Sequence, residues 1–147
     1  MAGSASDSSF TADATVQQVA ESYARDAVDF SSKQLGIELD WSDGSVANVE
    51  KALDKLSVSY TNENPKPTEA QVMSFAKGFG SYIGEVYRRN HGATWGISSV
   101  GGQQMVGLST QGGVQFWPWA RAFKRITLGP EENVSHYYSI LLEGSVK

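Results

Sequence analysis

After Asn90-His91-Gly92 the spacing of apolar residues along this chain changes, and that change limits what it can fold into. Before it, apolar side chains recur at three- and four-residue steps. After it, Trp95 and Ile97 alternate with Thr94, Gly96 and Ser98. A period near 3.6 marks helices with one buried face, and a period of 2 marks half-buried strands. Gly101-Gly102 suits a two-residue hairpin turn. It joins a first strand at 94–98 to a second at Gln104–Ser109, and Gln111-Gly112-Gly113 turns again into a third at Val114–Trp117, which Pro118 ends.

The helical part divides into three. Val16, Val19, Ala20, Tyr23, Ala27 and Phe30 form one stripe of a helix from Asp13 to Gln34, closed by Gly36. Ser45 suits the cap of a second helix reaching Leu56, with Val46, Val49, Leu53 and Leu56 facing inward. Thr68 caps a third, from Glu69 to Arg89, with the stripe Val72, Phe75, Phe79, Ile83 and Val86. This helix also holds Gly78, Gly80 and Gly84, each costing about 0.8–1 kcal/mol against Ala. Ala76, Gly80 and Gly84 are spaced by four, a row of small residues that a closely approaching backbone or aromatic ring would explain. Residues 119–126 read as a turn or short helix. Gly129-Pro130-Glu131-Glu132 then opens a closing helix with Val134, Tyr137, Tyr138 and Leu141 facing inward. The expected fold class is α+β: three N-terminal helices, a three-stranded antiparallel meander and a C-terminal helix, with residues 1–10 a flexible tail and 11–147 a single domain.

A length of 147 residues suits one domain that buries roughly two thirds of its unfolded surface. Its 40% hydrophobic and 19% charged residues are those of a globular chain. Zero Cys excludes a disulfide framework, a thiolate metal site and a Cys nucleophile. Met1 to Thr15 has no basic and apolar regions of a signal peptide, and no apolar run reaches the ~18–20 residues of a membrane span, so the expected location is the cytoplasm. The net charge of −4 is unevenly shared: residues 1–70 carry twelve acids and five bases, residues 71–147 four and seven. Such a split can present an acidic surface to a basic partner.

Two longer runs resemble uncharacterised bacterial small α+β domains. One is Gly80-Ser81-Tyr82-Ile83-Gly84-Glu85-Val86-Tyr87-Arg88-Arg89 followed by His91-Gly92-Ala93-Thr94-Trp95. The other is Phe116-Trp117-Pro118-Trp119-Ala120-Arg121-Ala122-Phe123-Lys124-Arg125-Ile126 with Gly129 to Tyr138. Ile37-Glu38-Leu39-Asp40-Trp41-Ser42 fits as well, and the likeness covers roughly residues 30–142. It extends to immunity-type proteins that neutralise antibacterial toxins. What the resemblance implies is a fold and a protein-binding role without established chemistry.

Chemistry is sparse in the residues themselves. His91 and His136 are the only histidines, and neither has a second ligand at metal spacing. Gly78-Phe79-Gly80 lies inside a helix, and no Gly-Lys-Ser/Thr follows any glycine loop, so no nucleotide or other cofactor is expected. Glu85 is the strongest catalytic candidate, close in sequence to His91 and Trp95, and these three define an alternative ligand cleft. Glu85 also precedes Arg88 and Arg89 by three and four residues, the spacing of a helix-surface ion pair. Trp117, Trp119 and Phe123 interleave with Arg121, Lys124 and Arg125 in the manner of a nucleic-acid binder, but a sequence pI near 5.1 disfavours it. The expected role is therefore a non-enzymatic protein-binding domain of immunity type. Its partner would be a basic toxin domain, met through Asp40, Trp41, Asp43, Glu50 and Asp54.

Overall fold

Asp13 starts the first helix. Its carboxylate accepts from the backbone N–H groups of Thr15 and Val16 at 2.9 and 3.1 Å, satisfying two donors that a helix start leaves open. The structure, a computed structural model, describes residues 8–146. Helix α1 (Ala14–Phe30) buries Ala20, Ala24 and Ala27 and widens into a π-helical turn over Ser31–Leu35. Gly36 closes it at φ 68°, a left-handed conformation that a residue without Cβ adopts readily.

A 3₁₀ turn over Asp43–Ser45 leads into α2 (Val46–Asn62), which runs beyond the expected end at Leu56. The side-chain cap is Ser42 rather than Ser45: Ser42 Oγ accepts from Ser45 N–H at 3.1 Å, while Ser45 Oγ donates to the Ser42 carbonyl. Helix α3 (Glu69–His91) opens with a reciprocal capping box between Thr68 and Gln71. Residues 79–87 of α3 are all buried, so this stretch is enclosed on every side.

The sheet has four antiparallel strands in the order β1-β2-β3-β4: β1 (Ser8–Ala12), β2 (Ala93–Val100), β3 (Gln103–Thr110) and β4 (Gln115–Phe116). The expected meander is there, with β4 shorter than Val114–Trp117, and β1 adds a fourth strand beside β2, placing Phe10 opposite Ser98 and Ala12 opposite Gly96. Ser8, Ser9 and Phe10 thus belong to the sheet and not to a tail; the rest of the expected tail, residues 1–7, lies outside the described residues. Ser-Ser-Phe-Thr-Ala has one large apolar side chain, too little alternation to announce a strand.

Pro118 begins a full helix, α4 (Pro118–Leu128), where a turn or short helix was expected. Pro130–Glu132 forms a 3₁₀ turn, and α5 (Val134–Val146) starts after it. The chain therefore has five α-helices and four strands among the described residues, against the four and three expected. Trp95, Leu108 and Phe116 stand in register across β2, β3 and β4 and are buried facing the helices.

The glycine row of α3 explains how these layers meet. A Cβ at Gly80 would lie 2.6 Å from the Pro118 carbonyl oxygen and 2.8 Å from Trp119 Cα, because the start of α4 crosses there backbone to backbone. A Cβ at Gly84 would lie 2.5 Å from the Trp95 ring. Among the described residues no helix is long and apolar enough to cross a membrane.

Candidate functional site

The segment from Asp40 to Ser45 is tied down at nearly every residue. Exposed Asp40 accepts from the backbone N–H and hydroxyl of Ser42 at 3.1 and 2.6 Å. The Ser42 hydroxyl, and then its backbone N–H, hold the Asp40 carboxyl below its ordinary value. Trp41 N–H donates to the Tyr82 phenol at 2.7 Å, and the Trp41 carbonyl accepts from Asn90 at 3.0 Å. Tyr82 also meets Ser45 Oγ at 2.7 Å; since that hydroxyl's proton goes to the Ser42 carbonyl, the phenol supplies the proton between them. Trp41 packs its half-buried ring on Tyr82, with centroids 4.7 Å apart, and under the Arg89 guanidinium at 3.9 Å.

Asp43 joins the two sets of residues that the sequence kept apart. One carboxylate oxygen meets His91 Nε2 at 2.8 Å and the other accepts from the Tyr138 phenol at 2.5 Å. Burial, and then the hydrogen bond to Asp43, raise the Tyr138 phenol well above its ordinary value. The loop is thereby fastened to the C-terminal turn of α3 and to α5. Tyr138 was legible only as part of a helix stripe, and Tyr82 only as a neighbour of one; nothing in the sequence paired either with the loop.

Glu50 and Asp54 make none of the bonds of this loop. Both turn to Arg125, a guanidinium only 1% exposed, which donates to Glu50 at 2.8 Å and to Asp54 at 2.7 Å. Burial works against the charge on Arg125, and the bonds with Asp54 and Glu50 outweigh it, holding its pKa above the ordinary value. Glu50 also accepts from the Val134 N–H at the start of α5. Charge counting could not find this, because Arg125 lies 75 and 71 residues away along the chain. Arg125 is likewise withdrawn from any basic face, leaving Arg121 and Lys124.

The alternative cleft is divided in the same way. Trp95 Nε1 donates to Glu85 at 2.8 Å, but His91 is with Asp43. Glu85 is fully buried, and its two oxygens take four hydrogen bonds: two from Arg88 at 2.7 and 3.0 Å, one from Arg89 at 3.1 Å and the one from Trp95. Burial pushes this carboxyl up, yet the bonds from Arg88, Trp95 and Arg89 prevail and hold it below the usual range. A carboxylate with its lone pairs filled by fixed donors has no position left for a substrate's proton. Arg88 also reaches Glu21 on α1 at 3.2 Å, so the cluster clamps helices and sheet together. Among the described residues no three His, Cys, Asp or Glu side chains group as metal ligands.

The arrangement defines an α+β protein with helices on one face of a four-stranded antiparallel sheet. Neither a family model nor a curated protein matches the chain. A crystal structure of a protein from Bacteroides thetaiotaomicron VPI-5482 is similar to it over 93% of this chain, with a TM-score of 0.65 and 12% identity. The matched part is 48% of that protein's length, and at this identity the likeness is one of fold.

Proposed function

We propose that this chain is a non-enzymatic protein-binding domain that meets its partner through the Asp40–Asp43 loop and, within that class, an immunity-type inhibitor. The observation that carries the reading is the backbone of Trp41, at φ 70° the only non-glycine residue of positive φ among the described residues. A bulky side chain there costs on the order of 1–2 kcal/mol. Tyr82, Asn90, His91 and Tyr138 hold the loop in this shape through four hydrogen bonds. Strain sustained by surrounding contacts is characteristic of functional segments. A rigid aromatic beside an exposed acid gives a partner an anchor whose ordering cost is already met. Asp40 remains open to solvent for a basic partner, whereas Asp43 is held by His91 and Tyr138, and Glu50 and exposed Asp54 are held by Arg125.

The immunity-type assignment rests on the resemblance over residues 30–142 and names a basic toxin domain as partner and the cytoplasm as compartment. Co-expression with the product of the gene adjacent to its own tests it. Growth should be restored when the chain is supplied, and toxicity undiminished by a folded, abundant chain contradicts the assignment.

A further inference from the structure

All eight residues of β3 pair with β2, but only Leu108 and Ser109 pair with β4. The chain leaves the sheet at Pro118 for α4, so from Gln103 to Gly107 the outer edge of β3 has no neighbouring strand among the described residues. Thr110 N–H donates to the Val114 carbonyl at 2.8 Å, away from β2. Main-chain groups alternate along an antiparallel strand, so those of Val106 and Gln104 point to the same open side. Open edges are usually guarded by Lys, Pro or a bulge, and Gln103-Gln104-Met105-Val106-Gly107 contains no Lys or Pro and runs in unbroken register with β2.

A groove of about 230 Å³ adjoins this edge, lined by Met105, Trp117, Lys124, Tyr137 and Leu141 among others. Trp117 packs against the bare Cα of Gly107, and its Nε1 is buried without an acceptor among the described residues. Most buried donors are paired, and this one, closed off from solvent against Gly107, gains an oxygen partner only if the ring turns outward. The charge beside it points the same way. Arg121 is paired with Glu132 and stacked on Tyr137, whereas exposed Lys124 has no ion pair among the described residues.

We propose that the open edge of β3 takes up an extended, acidic segment of a partner protein as an added strand. Main-chain hydrogen bonds to Gln104 and Val106 would hold the segment, its carboxylates would meet exposed Lys124, and an outward turn of the Trp117 ring would bring Nε1 to one of its oxygens. These residues are separate from the Trp41 loop, and either surface can fail without the other.

The test is an NMR titration of the full chain with a ten-residue peptide alternating Val and Glu, and with its Val/Lys counterpart. The acidic peptide should shift the amide signals of Gln104 and Val106 and the indole signal of Trp117, and should bind at least about tenfold more tightly than the basic one. Gln104→Pro removes one edge donor, and Lys124→Glu reverses the charge at an exposed position that the fold does not need. Each should weaken acidic-peptide binding roughly tenfold. Failure of the acidic peptide to bind, equal affinity of parent and Lys124→Glu, or shifts confined to the Trp41 loop would overturn the proposal. So would a dimer that must dissociate before the peptide binds, since the edge would then belong to a second copy.

Discussion

Gly84 and Trp95 occupy a single packing volume: a methyl group at Gly84 would come within 2.5 Å of the Trp95 ring, whose Nε1 donates to Glu85 one residue along α3. The glycine admits the ring, the ring reaches the carboxylate, and the carboxylate holds two arginines. Residues that resemble the makings of a ligand cleft are thereby the rivet between helix and sheet.

The three glycines of α3 should respond differently to a single methyl group. Gly84→Ala meets the Trp95 ring and Gly80→Ala meets the backbone of α4; each should cost about 1–3 kcal/mol. Gly78 is the contrast, because its added Cβ would lie at ordinary contact distance, 3.6 Å from Ala27 and 3.7 Å from the Tyr23 carbonyl. Gly78→Ala should gain up to about 1 kcal/mol of helix propensity. Urea unfolding of the three variants checks this, and a uniform response would contradict it.

Glu85 should set the acid limb of stability. Its folded pKa is lowered from 4.5, so the stability it contributes is complete above about pH 4.5 and is lost as pH falls through the folded value. Glu85→Gln should flatten that limb. Glu85→Ala should cost about 3 kcal/mol at neutral pH, towards the lower end for a broken buried pair because Arg88 and Arg89 can turn to water. Unfolding free energies measured from pH 7 to 3 provide the check; an unchanged slope in Glu85→Gln would place the titrating group elsewhere.

How far the sequence could be read depended on how local each signal was. The helices α1, α2 and α3, the β2–β3 hairpin and the packing role of Gly80 and Gly84 were legible, since period, capping and turn chemistry act within a few residues. β1 was not, because its partner β2 supplies most of what makes Ser8–Ala12 a strand. The reading of α4 fell short for a similar reason: its buried residues, Pro118, Ala122, Arg125 and Ile126, include an arginine that looks like surface until Glu50 and Asp54 are brought to it. The loop residues Asp40, Trp41 and Asp43 could be singled out as candidates, but Tyr82, Asn90 and Tyr138 reach them only through the fold.

The alkaline limb should carry the mark of Tyr137. Burial pushes its phenol up from 10.0 to about 12, so between these values the folded chain keeps a proton that the unfolded chain releases. Stability should be intact below about pH 10 and decline as pH rises toward 12. Tyr137→Phe should reduce that decline, and ultraviolet titration should show one fewer late-titrating phenol than in the parent. An unaltered titration curve would contradict the assignment.

The claim that the Trp41 loop is the contact surface is tested most directly by association and dissociation kinetics with the product of the adjacent gene, using Trp41→Gly and Asp40→Lys. Glycine accepts φ 70° without strain, which offsets part of the packing lost with the ring, so Trp41→Gly should melt close to the parent. Its dissociation should nevertheless be at least about tenfold faster, because an anchor acts mainly on residence time. Asp40→Lys should slow association at low salt, and the difference should fade as the Debye length shrinks to about 3 Å at 1 M. Variants that fold like the parent and bind it with parental rates at both ionic strengths would contradict the account and leave the loop a structural strap.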